Sequence, residues 1–293
     1  MSKIDGKEIA KTYREELKSE IDNLKEQGVK PAIAPVLVGS DPGAKVYYRT
    51  KKKLAEELGI EYKGVKLDED ISEKDLVGRL RKLNNDPSVH GLFIELPLPE
   101  GLNIGKLRDE INPKKDVDCI NPLNSGKLLS GGAVRASYEE LKNDPEMLLP
   151  ATPYAVMEIL KYSGVELAGK EFLIVGGGAV GLPLSLLALR EGYGTVTLCE
   201  YQAGDLAEKT RRADIVCSSV GKKNFITEDM ISEGTVVVDV GINATESGIT
   251  GDVDYEKVKE KASLITPVPG GVGPMTTTLI MSNTVKAAKL IQG

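Results

Sequence analysis

Hydrophobic and polar residues follow a pattern along the first third of the chain that predicts helices and strands in turn. Apolar residues recur at helical spacing from Ile9 to Leu24, and this pattern stops before Gly28. The apolar run IAPVLV at 33–38 ends at a glycine and predicts a buried strand. The same reasoning predicts helices at about 45–58 and 73–83, the second capped by Ser72, and strands at 62–67 and 91–95.

The second half of the chain repeats this alternation after an irregular stretch. Residues 113–135 are rich in Pro, Gly, Asn and Ser without clear periodicity, so we expect an irregular segment with a functional role there. A helix from about Pro153 to before Gly164 is predicted to lead into a second unit. Strands are then predicted at EFLIV, TVTLC, ADIVCSS, TVVVDVG and SLITPVP, with a helix after each of the first two and a last helix at 275–290. Strands that alternate with helices predict an α/β fold with a mostly parallel sheet.

Composition narrows the class of protein. The 293 residues suffice for two domains, and 41% hydrophobic with 28% charged residues is typical of a globular chain. The net charge of −6 and the lack of a long basic cluster argue against nucleic-acid binding. No apolar run approaches the roughly 20 residues that span a bilayer, and no signal-peptide pattern occurs, so we expect a cytoplasmic protein without a membrane anchor. The cysteine spacing and a single histidine, His90, argue against a metal site.

A glycine-rich turn is the clearest local motif. The sequence GGGAVG at 176–181 is a GxGxxG pattern between a predicted strand and a predicted helix. Such glycines let a pyrophosphate approach the helix N-terminus, where free N–H groups favour anions. Glu200 ends the next strand about 20 residues later, where a carboxylate accepts hydrogen bonds from ribose hydroxyls. The alternative is a tight turn with an unrelated surface glutamate, but the context favours a dinucleotide site.

A lysine lies on the inward face of the helix predicted at 45–58. Helical spacing places Lys51 on one face with Tyr47, Leu54, Ala55 and Leu58. An inward lysine must pair with a negative charge or lose its proton, and both states suit proton transfer or electrostatic catalysis in a cleft. The alternative is a lysine whose stem packs beside a core tyrosine while its ammonium reaches solvent.

Carboxylates and a proline- and glycine-rich loop add weaker signals. Glu95 ends a predicted strand, and open α/β sheets bind ligands at the carboxyl ends of their strands. Asp116 and Asp118 lie in the irregular stretch, where turn formation is the alternative role. The segment TPVPGGVGPMTTT at 266–278 has three prolines and three glycines, which suit close approach to a ligand or a rigid hinge.

Taken together, these segments resemble the methylenetetrahydrofolate dehydrogenase/cyclohydrolase family over nearly the whole chain. Several motifs occur in the family's order, and PVPGGVGPMT is the most specific of them. The matching stretches are VGSDPGAKVYYRTKKKLAEELGI, HGLFIELPLP, PKKDVDCINPLNSGKL, PATPYAVMEIL, ADIVCSSVGKKNFI, VVVDVGIN and TPVPGGVGPMTTTLIMSNTVKAA.

The resemblance implies a fold and a reaction. It implies two α/β domains with a cleft between them: residues 1–145 with 275–293 form the catalytic, folate-binding domain, and 146–274 form a Rossmann-type NAD(P)-binding domain. It implies a dehydrogenase that transfers hydride from 5,10-methylenetetrahydrofolate to the dinucleotide, with methenyltetrahydrofolate cyclohydrolase as a possible second activity. It also implies a homodimer.

The resemblance further implies roles for individual residues. Lys51 matches the central catalytic lysine, Tyr47 the tyrosine that packs on the folate rings, and Asp118 the aspartate that anchors the pterin. The residues expected to line the folate site are Leu96, Pro97, Gly270, Gly271, Val272 and Gly273. The residues expected to contact the dinucleotide are Thr152, Gly176, Gly177, Gly178, Ala179, Val180, Gly181, Glu200, Tyr201, Val220, Gly221, Ile242 and Thr276.

The chain departs from the family pattern at positions that bear on chemistry. The phosphate loop is one residue shorter and lacks the family's arginine, and Glu200-Tyr201 replaces a His-Ser pair. A carboxylate there repels the 2′-phosphate of NADP, so we expect NAD as the cofactor with NADP as the alternative. Glu95 replaces the glutamine that partners the lysine in the cyclohydrolase step, which places that activity in doubt. A smaller departure replaces Ser, Cys and Gly by Ala44, Ala151 and Ala155, respectively.

Two other functions stay open at this point. One is a Rossmann dehydrogenase of an unrelated small metabolite, which turnover of a folate substrate would exclude. The other is a non-catalytic nucleotide-binding regulator, which would need neither Lys51 nor a folate.

Overall fold

A computed structural model describes residues 2–130, 136–192, 194–245 and 248–292 of the chain. These residues divide into two compact units, which we name after their sheets. The four-stranded unit comprises residues 12–130, 142–151 and 277–292. The six-stranded unit comprises residues 2–11, 136–141 and Thr152–Thr276.

Helices and short strands alternate along both units. The strands are β1 (Ser2–Lys3), β2 (Ala32–Val38), β3 (Glu61–Tyr62), β4 (Val65–Leu67), β5 (Gly91–Ile94), β6 (Glu171–Val175), β7 (Thr195–Cys199), β8 (Ile215–Ser218), β9 (Val236–Asp239), β10 (Asn243–Thr245), β11 (Gly248–Thr250) and β12 (Leu264–Ile265). The helices are α1 (Gly6–Glu26), α2 (Pro42–Leu58), α3 (Glu73–Asn85), α4 (Ile104–Leu107), α5 (Pro122–Ser130), α6 (Tyr138–Asn143), α7 (Ala151–Tyr162), α8 (Gly181–Glu191), α9 (Leu206–Arg212), α10 (Tyr255–Val258) and α11 (Val272–Gln292). Among these described helices, none combines the length and the apolar character that crossing a bilayer requires.

The sheet of the four-stranded unit is parallel and centred on β2. Strands β3 and β4 pair with one side of β2 and β5 pairs with the other. Every residue of β2 is buried, which explains why this strand is a continuous apolar run rather than an alternating one. The carboxyl ends of β2 and β5 therefore lie side by side at one edge of the sheet.

Helix ends in this unit agree with the capping signals in the sequence. The Ser72 side chain accepts a hydrogen bond from the backbone N–H of Asp75, which confirms Ser72 as the N-cap of α3. Strand prediction was less accurate: the single strand expected at 62–67 is split into β3 and β4. The intervening Gly64 lies against the Tyr48 hydroxyl, so close that a Cβ there would meet it.

The stretch predicted to be irregular contains a helix, so that prediction is wrong for α5. The side chain of Asn121 accepts a hydrogen bond from the Leu123 N–H, and Pro122 occupies the first helical position, where a proline is favourable. Asn124 and Leu128 are the residues of α5 that are buried, too few for a clear apolar period. Residues 131–135 of the predicted segment lie outside the described residues.

The six-stranded sheet is entirely parallel, in the order β1-β12-β9-β8-β6-β7. The strand order reverses direction at β6, which has β7 on one side and β8 on the other. This doubly wound arrangement confirms the predicted Rossmann-type organisation, and its ligand crevice is expected at the carboxyl end of β6.

The observed units differ from the expected domain boundaries at the N-terminus and near residue 140. Strand β1 pairs with β12, so residues 2–11 belong to the six-stranded unit. Gly6 packs so closely on the Gly271 carbonyl that a Cβ would lie 1.8 Å from that oxygen. Residues 142–151 belong to the four-stranded unit, and 136–141 to the other. A two-residue strand carries too little periodicity to be recognised in the sequence.

Candidate active site

Helix α2 places Lys51 inside the four-stranded unit. The Asp41 side chain caps its N-terminus through the Ala44 N–H, and Gly59 ends the helix in a left-handed conformation. Lys51 is buried on the same face as Leu54. The prediction of an inward lysine is therefore confirmed.

The tyrosine on this inward face differs from the expected one. Tyr48 is buried in the core, whereas Tyr47 is half-buried at the edge of the lysine site. The Lys51 ammonium lies 5.7 Å from the centroid of the Tyr47 ring, so Tyr47 borders the site without belonging to the core. The i, i+4 spacing correctly predicts Tyr47 as a neighbour of Lys51, but the Tyr47 side chain is less buried than that spacing implies.

Lys51 forms a buried ion pair with Glu95. Its Nζ donates a hydrogen bond of 2.7 Å to Glu95 Oε2, and the two residues are 7% and 4% exposed. The same ammonium lies 4.7 Å from the centroid of the Phe93 ring. The sequence-based prediction missed Phe93, although its spacing of two residues from Glu95 places both side chains on one side of an extended chain. Ring and carboxylate together hold a cation with little water around it.

Glu95 has one oxygen bound and one without a protein partner. Its Oε1 is buried and forms no hydrogen bond within the described part of the chain. Burial raises the pKa of Glu95 above its ordinary value, the Lys51 charge partly opposes this, and the Asp118 charge adds to it. The site therefore has an acceptor oxygen ready for a ligand and a carboxyl whose charge depends on its surroundings.

Asp118 lies in a loop that follows the isolated β-bridge between Leu92 and Asp116, and hydrogen bonds to Asp116 fix this loop. The Asp116 carboxylate accepts hydrogen bonds from the N–H groups of Ile120 and Asn121 and from the Asn124 amide, so Asp116 has the structural role of a turn former. Asp118 is half-buried, and desolvation raises its pKa while the nearby Lys51 charge lowers it. The loop thus directs a second carboxylate toward the lysine.

Two groups of expected folate-site residues fall in different units. Leu96 and Pro97 follow Glu95 in the four-stranded unit, and both are exposed. The loop 270–273 belongs to the six-stranded unit, with Gly271 and Val272 buried. Gly271 fits tightly because a Cβ would lie 2.6 Å from the Pro267 carbonyl oxygen.

The glycine-rich turn of the six-stranded unit lies at the strand-order reversal. Gly176 has φ +104°, and a Cβ would meet the Ser219 carbonyl oxygen at 2.6 Å. Gly181 begins α8, and a Cβ there would lie 1.9 Å from the Gly176 carbonyl oxygen. These two glycines are needed by the protein itself for the tight turn and for helix–strand packing. By contrast, Gly178 has open space around it, which suits the approach of a phosphate.

Glu200 and Tyr201 follow β7 beside this turn. Glu200 is exposed, and its Oε1 would lie 2.5 Å from a Cβ at Gly177. The carboxylate is therefore next to the glycine-rich turn, the position at which the sequence predicts an acid that binds ribose hydroxyls. Of the two arginines that end α9, Arg211 donates to the Asp229 carbonyl and Arg212 lies 4.0 Å from Glu171.

Residues that follow β8 form a second loop of this site. The N–H groups of Val220 and Gly221 donate to the Asp252 carboxylate at 2.7 and 3.1 Å. Asp252, which no sequence motif singled out, is buried and also accepts from Ser218 and Asn243. The Asp252 carboxylate therefore fixes the backbone conformation of the loop that follows β8.

The remaining expected nucleotide contacts are distributed over this unit. Thr152 and Thr276 lie side by side, with their hydroxyl oxygens 3.4 Å apart. Ile242 follows β9 and is 48% exposed, so its side chain is accessible to a ligand. Ala179 is exposed and Val180 half-buried within the glycine-rich turn.

Two domain models of one known family match the chain. The model of the tetrahydrofolate dehydrogenase/cyclohydrolase catalytic domain matches residues 4–118. The model of the same family's NAD(P)-binding domain matches residues 150–292.

Relatives and solved structures match over the full length. The chain is 46% identical over 288 residues to the bifunctional protein FolD 2 of Desulfitobacterium hafniense (strain Y51), covering 98% of this chain and 96% of that protein. The crystal structure of the bifunctional FolD methylenetetrahydrofolate dehydrogenase/cyclohydrolase of Campylobacter jejuni has a TM-score of 0.90 at 40% identity, with 99% of each chain covered. The Trypanosoma brucei enzyme, solved with NADP and an inhibitor, has a TM-score of 0.89 at 32% identity and covers 99% of this chain and 97% of its own.

Proposed function

The chain belongs to the tetrahydrofolate dehydrogenase/cyclohydrolase family, and we propose that it oxidises 5,10-methylenetetrahydrofolate to 5,10-methenyltetrahydrofolate. The observation that carries the proposal is the buried Lys51–Glu95 ion pair beside Asp118. A buried lysine held by a carboxylate is a costly arrangement for a fold alone, and it is typical of a catalytic site.

The charges of the site suit the proposed reaction. With both carboxyls ionised, Lys51, Glu95 and Asp118 leave one net negative charge. The methenyl product is a cation, so this charge stabilises it relative to the neutral substrate. We assign Asp118 to the pterin, through hydrogen bonds that its carboxylate accepts, and the half-buried Tyr47 ring to the folate ring system. Leu96 and Pro97 supply exposed apolar surface beside them.

The six-stranded unit has the features that a dinucleotide requires. Gly178 leaves open space at the N-terminus of α8, and the exposed Glu200 carboxylate lies next to the same turn. We therefore assign the pyrophosphate to the glycine-rich turn and a ribose to Glu200. When bound, the nicotinamide supplies the hydride acceptor. The chain's own residues bind and orient the two reactants.

The exposed Glu200 carboxylate leads us to expect NAD as the preferred cofactor. A 2′-phosphate next to this carboxylate would be repelled. The Arg211 side chain donates to the Asp229 carbonyl instead. The expected preference for NAD over NADP is at least about tenfold in kcat/KM, or roughly 1.4 kcal/mol. Steady-state assays of methylenetetrahydrofolate oxidation with each cofactor under identical conditions measure it. An equal or reversed preference would contradict the role given to Glu200.

Glu95 bears on the second activity of the family, hydrolysis of methenyltetrahydrofolate to 10-formyltetrahydrofolate. Proton transfer during hydrolysis needs a lysine that changes its protonation state near neutral pH. The 2.7 Å ion pair with Glu95 stabilises the charged ammonium. We therefore propose a weak cyclohydrolase beside a competent dehydrogenase.

We further propose a homodimer. Leu182 and Leu189 lie seven residues apart on α8 and are each 56% exposed. They share a helix face, and β7, which packs on the same helix, is an edge strand of the sheet. An apolar helix face beside an open edge strand supports association with a second copy.

A further inference from the structure

Lys222 holds a defined position beside the proposed ribose-binding carboxylate. Its ammonium lies 3.6 Å from the centroid of the Tyr201 ring, and Tyr201 directly follows Glu200. The ring is itself held, by edge-to-face contact with Phe225 at 6.3 Å and by a hydrogen bond that Gln202 donates to its hydroxyl. The Lys222 side chain is exposed, so this ring contact places a positive charge where a ligand can reach it.

The backbone of Lys222 is fixed as well. Its N–H donates to Asp252 Oδ1 at 2.9 Å, next to the two N–H groups of Val220 and Gly221 that the same carboxylate accepts. Three successive N–H groups turned to one side form an anion-binding nest, and here a buried side chain fills it. Asp252 thus occupies these three N–H groups, so an anion at this loop would be bound by a side chain such as that of Lys222.

A charge at the end of β7 acts on the 2′ position of the cofactor's ribose. A carboxylate at the end of the second strand binds ribose hydroxyls, whereas a cation nearby accommodates a 2′-phosphate. Here both occur together, Glu200 on the strand end and Lys222 over the next residue. Within the described ranges, the Lys222 ammonium forms no salt bridge, so its charge is not cancelled by a carboxylate.

We propose that Lys222 is a specificity-determining residue that binds the 2′-phosphate of a dinucleotide and offsets the repulsion by Glu200. The inference rests on the proposed use of a nicotinamide dinucleotide and deepens it. It means that discrimination against NADP is the result of two opposed charges: Glu200 lowers the affinity for the phosphate and Lys222 raises it.

The test compares two probes that differ in the 2′-phosphate alone, ADP-ribose and 2′-phospho-ADP-ribose. Their dissociation constants are measured by calorimetry for the full chain and for Lys222→Ala. The substitution should weaken 2′-phospho-ADP-ribose about tenfold more than ADP-ribose, the size of one lost charge contact at a partly exposed site. The matched control is Lys223→Ala, which removes the same charge one residue further along and should leave the ratio unchanged.

A second pair of variants tests whether the charges of Glu200 and Lys222 have opposite effects on binding of the 2′-phosphate. Glu200→Gln should tighten binding of the phosphorylated probe, and adding Lys222→Ala should remove most of that gain. The inference would be overturned if Lys222→Ala left the ratio of the two dissociation constants unchanged, or if Lys223→Ala weakened the phosphorylated probe equally. Binding of both probes to these variants would still support the dinucleotide site. Failure of the unaltered chain to bind either probe would instead overturn the proposed function, and this inference with it.

Discussion

Replacing Glu95 by glutamine is expected to raise methenyltetrahydrofolate hydrolysis at least about tenfold near neutral pH. Glutamine keeps a hydrogen-bond partner for the Lys51 ammonium but removes the opposite charge at 2.7 Å. Proton transfer between Lys51 and the hydrolysis intermediate then no longer has to break an ion pair. The dehydrogenase should change less and in the opposite direction, because the cationic methenyl product loses a stabilising negative charge.

The difference in hydrolysis rate between the unaltered chain and Glu95→Gln should depend on pH, which gives this prediction a second readout. Burial raises the pKa of Glu95, so the carboxyl becomes protonated and neutral at a higher pH than an ordinary glutamate. Below that pKa the side chain is uncharged, like the glutamine amide, so the hydrolysis rates of the unaltered chain and of Glu95→Gln should converge. Above that pKa the two rates should diverge. Hydrolysis rates corrected for the uncatalysed reaction measure both effects. Robust hydrolysis by the unaltered chain that Glu95→Gln leaves unchanged or lowers would contradict the role of the ion pair.

Replacing Lys51 by methionine is expected to lower methenyltetrahydrofolate hydrolysis at least about 100-fold, the scale of a lost general acid–base group. The effect is best measured in the Glu95→Gln background, where the starting activity is higher. Methionine keeps most of the packing volume and removes the charge. The dehydrogenase should fall less, because its hydride acceptor is the cofactor and not the lysine.

Two controls separate chemistry from folding in that experiment. Methionine at 51 alone leaves the buried Glu95 carboxyl without its partner, which can cost about 3–5 kcal/mol of stability. The double variant Lys51→Met/Glu95→Gln avoids the unpaired charge, so its free energy of unfolding should lie nearer to that of the unaltered chain. Lys53→Met changes an exposed lysine of the same helix and should leave both activities intact. Full hydrolysis by the double variant would show that Lys51 is not the catalytic lysine.

Much of this site can be predicted from local sequence. Lys51 is recognisable because helical spacing puts it among apolar residues, and Glu95 because it ends an apolar strand. The turn at 176–181 is recognisable because its glycines stand between a strand and a helix. Each of these signals depends on a periodicity or a turn within about 20 residues of chain.

The rest depends on contacts between distant segments. Nothing near Lys222 in the sequence indicates that its ammonium lies on the Tyr201 ring, or that Asp252 holds its backbone from 30 residues away. The pairing of β1 with β12 joins Ser2 to Leu264 in one sheet, which no local period encodes. The depth of Tyr47 is a similar case: the adjacent Tyr48 is the tyrosine that packs in the core, where its ring contacts the Tyr62 ring edge to face at 5.4 Å.

The most direct test of the proposed function is turnover of the proposed substrate. The purified chain is mixed with 5,10-methylenetetrahydrofolate deuterated at the one-carbon bridge and with NAD, and both products are quantified. We predict equal amounts of 5,10-methenyltetrahydrofolate and reduced dinucleotide, with the deuterium transferred to the nicotinamide. Absence of turnover with NAD and with NADP, in a protein that still binds ADP-ribose, would contradict the proposed function.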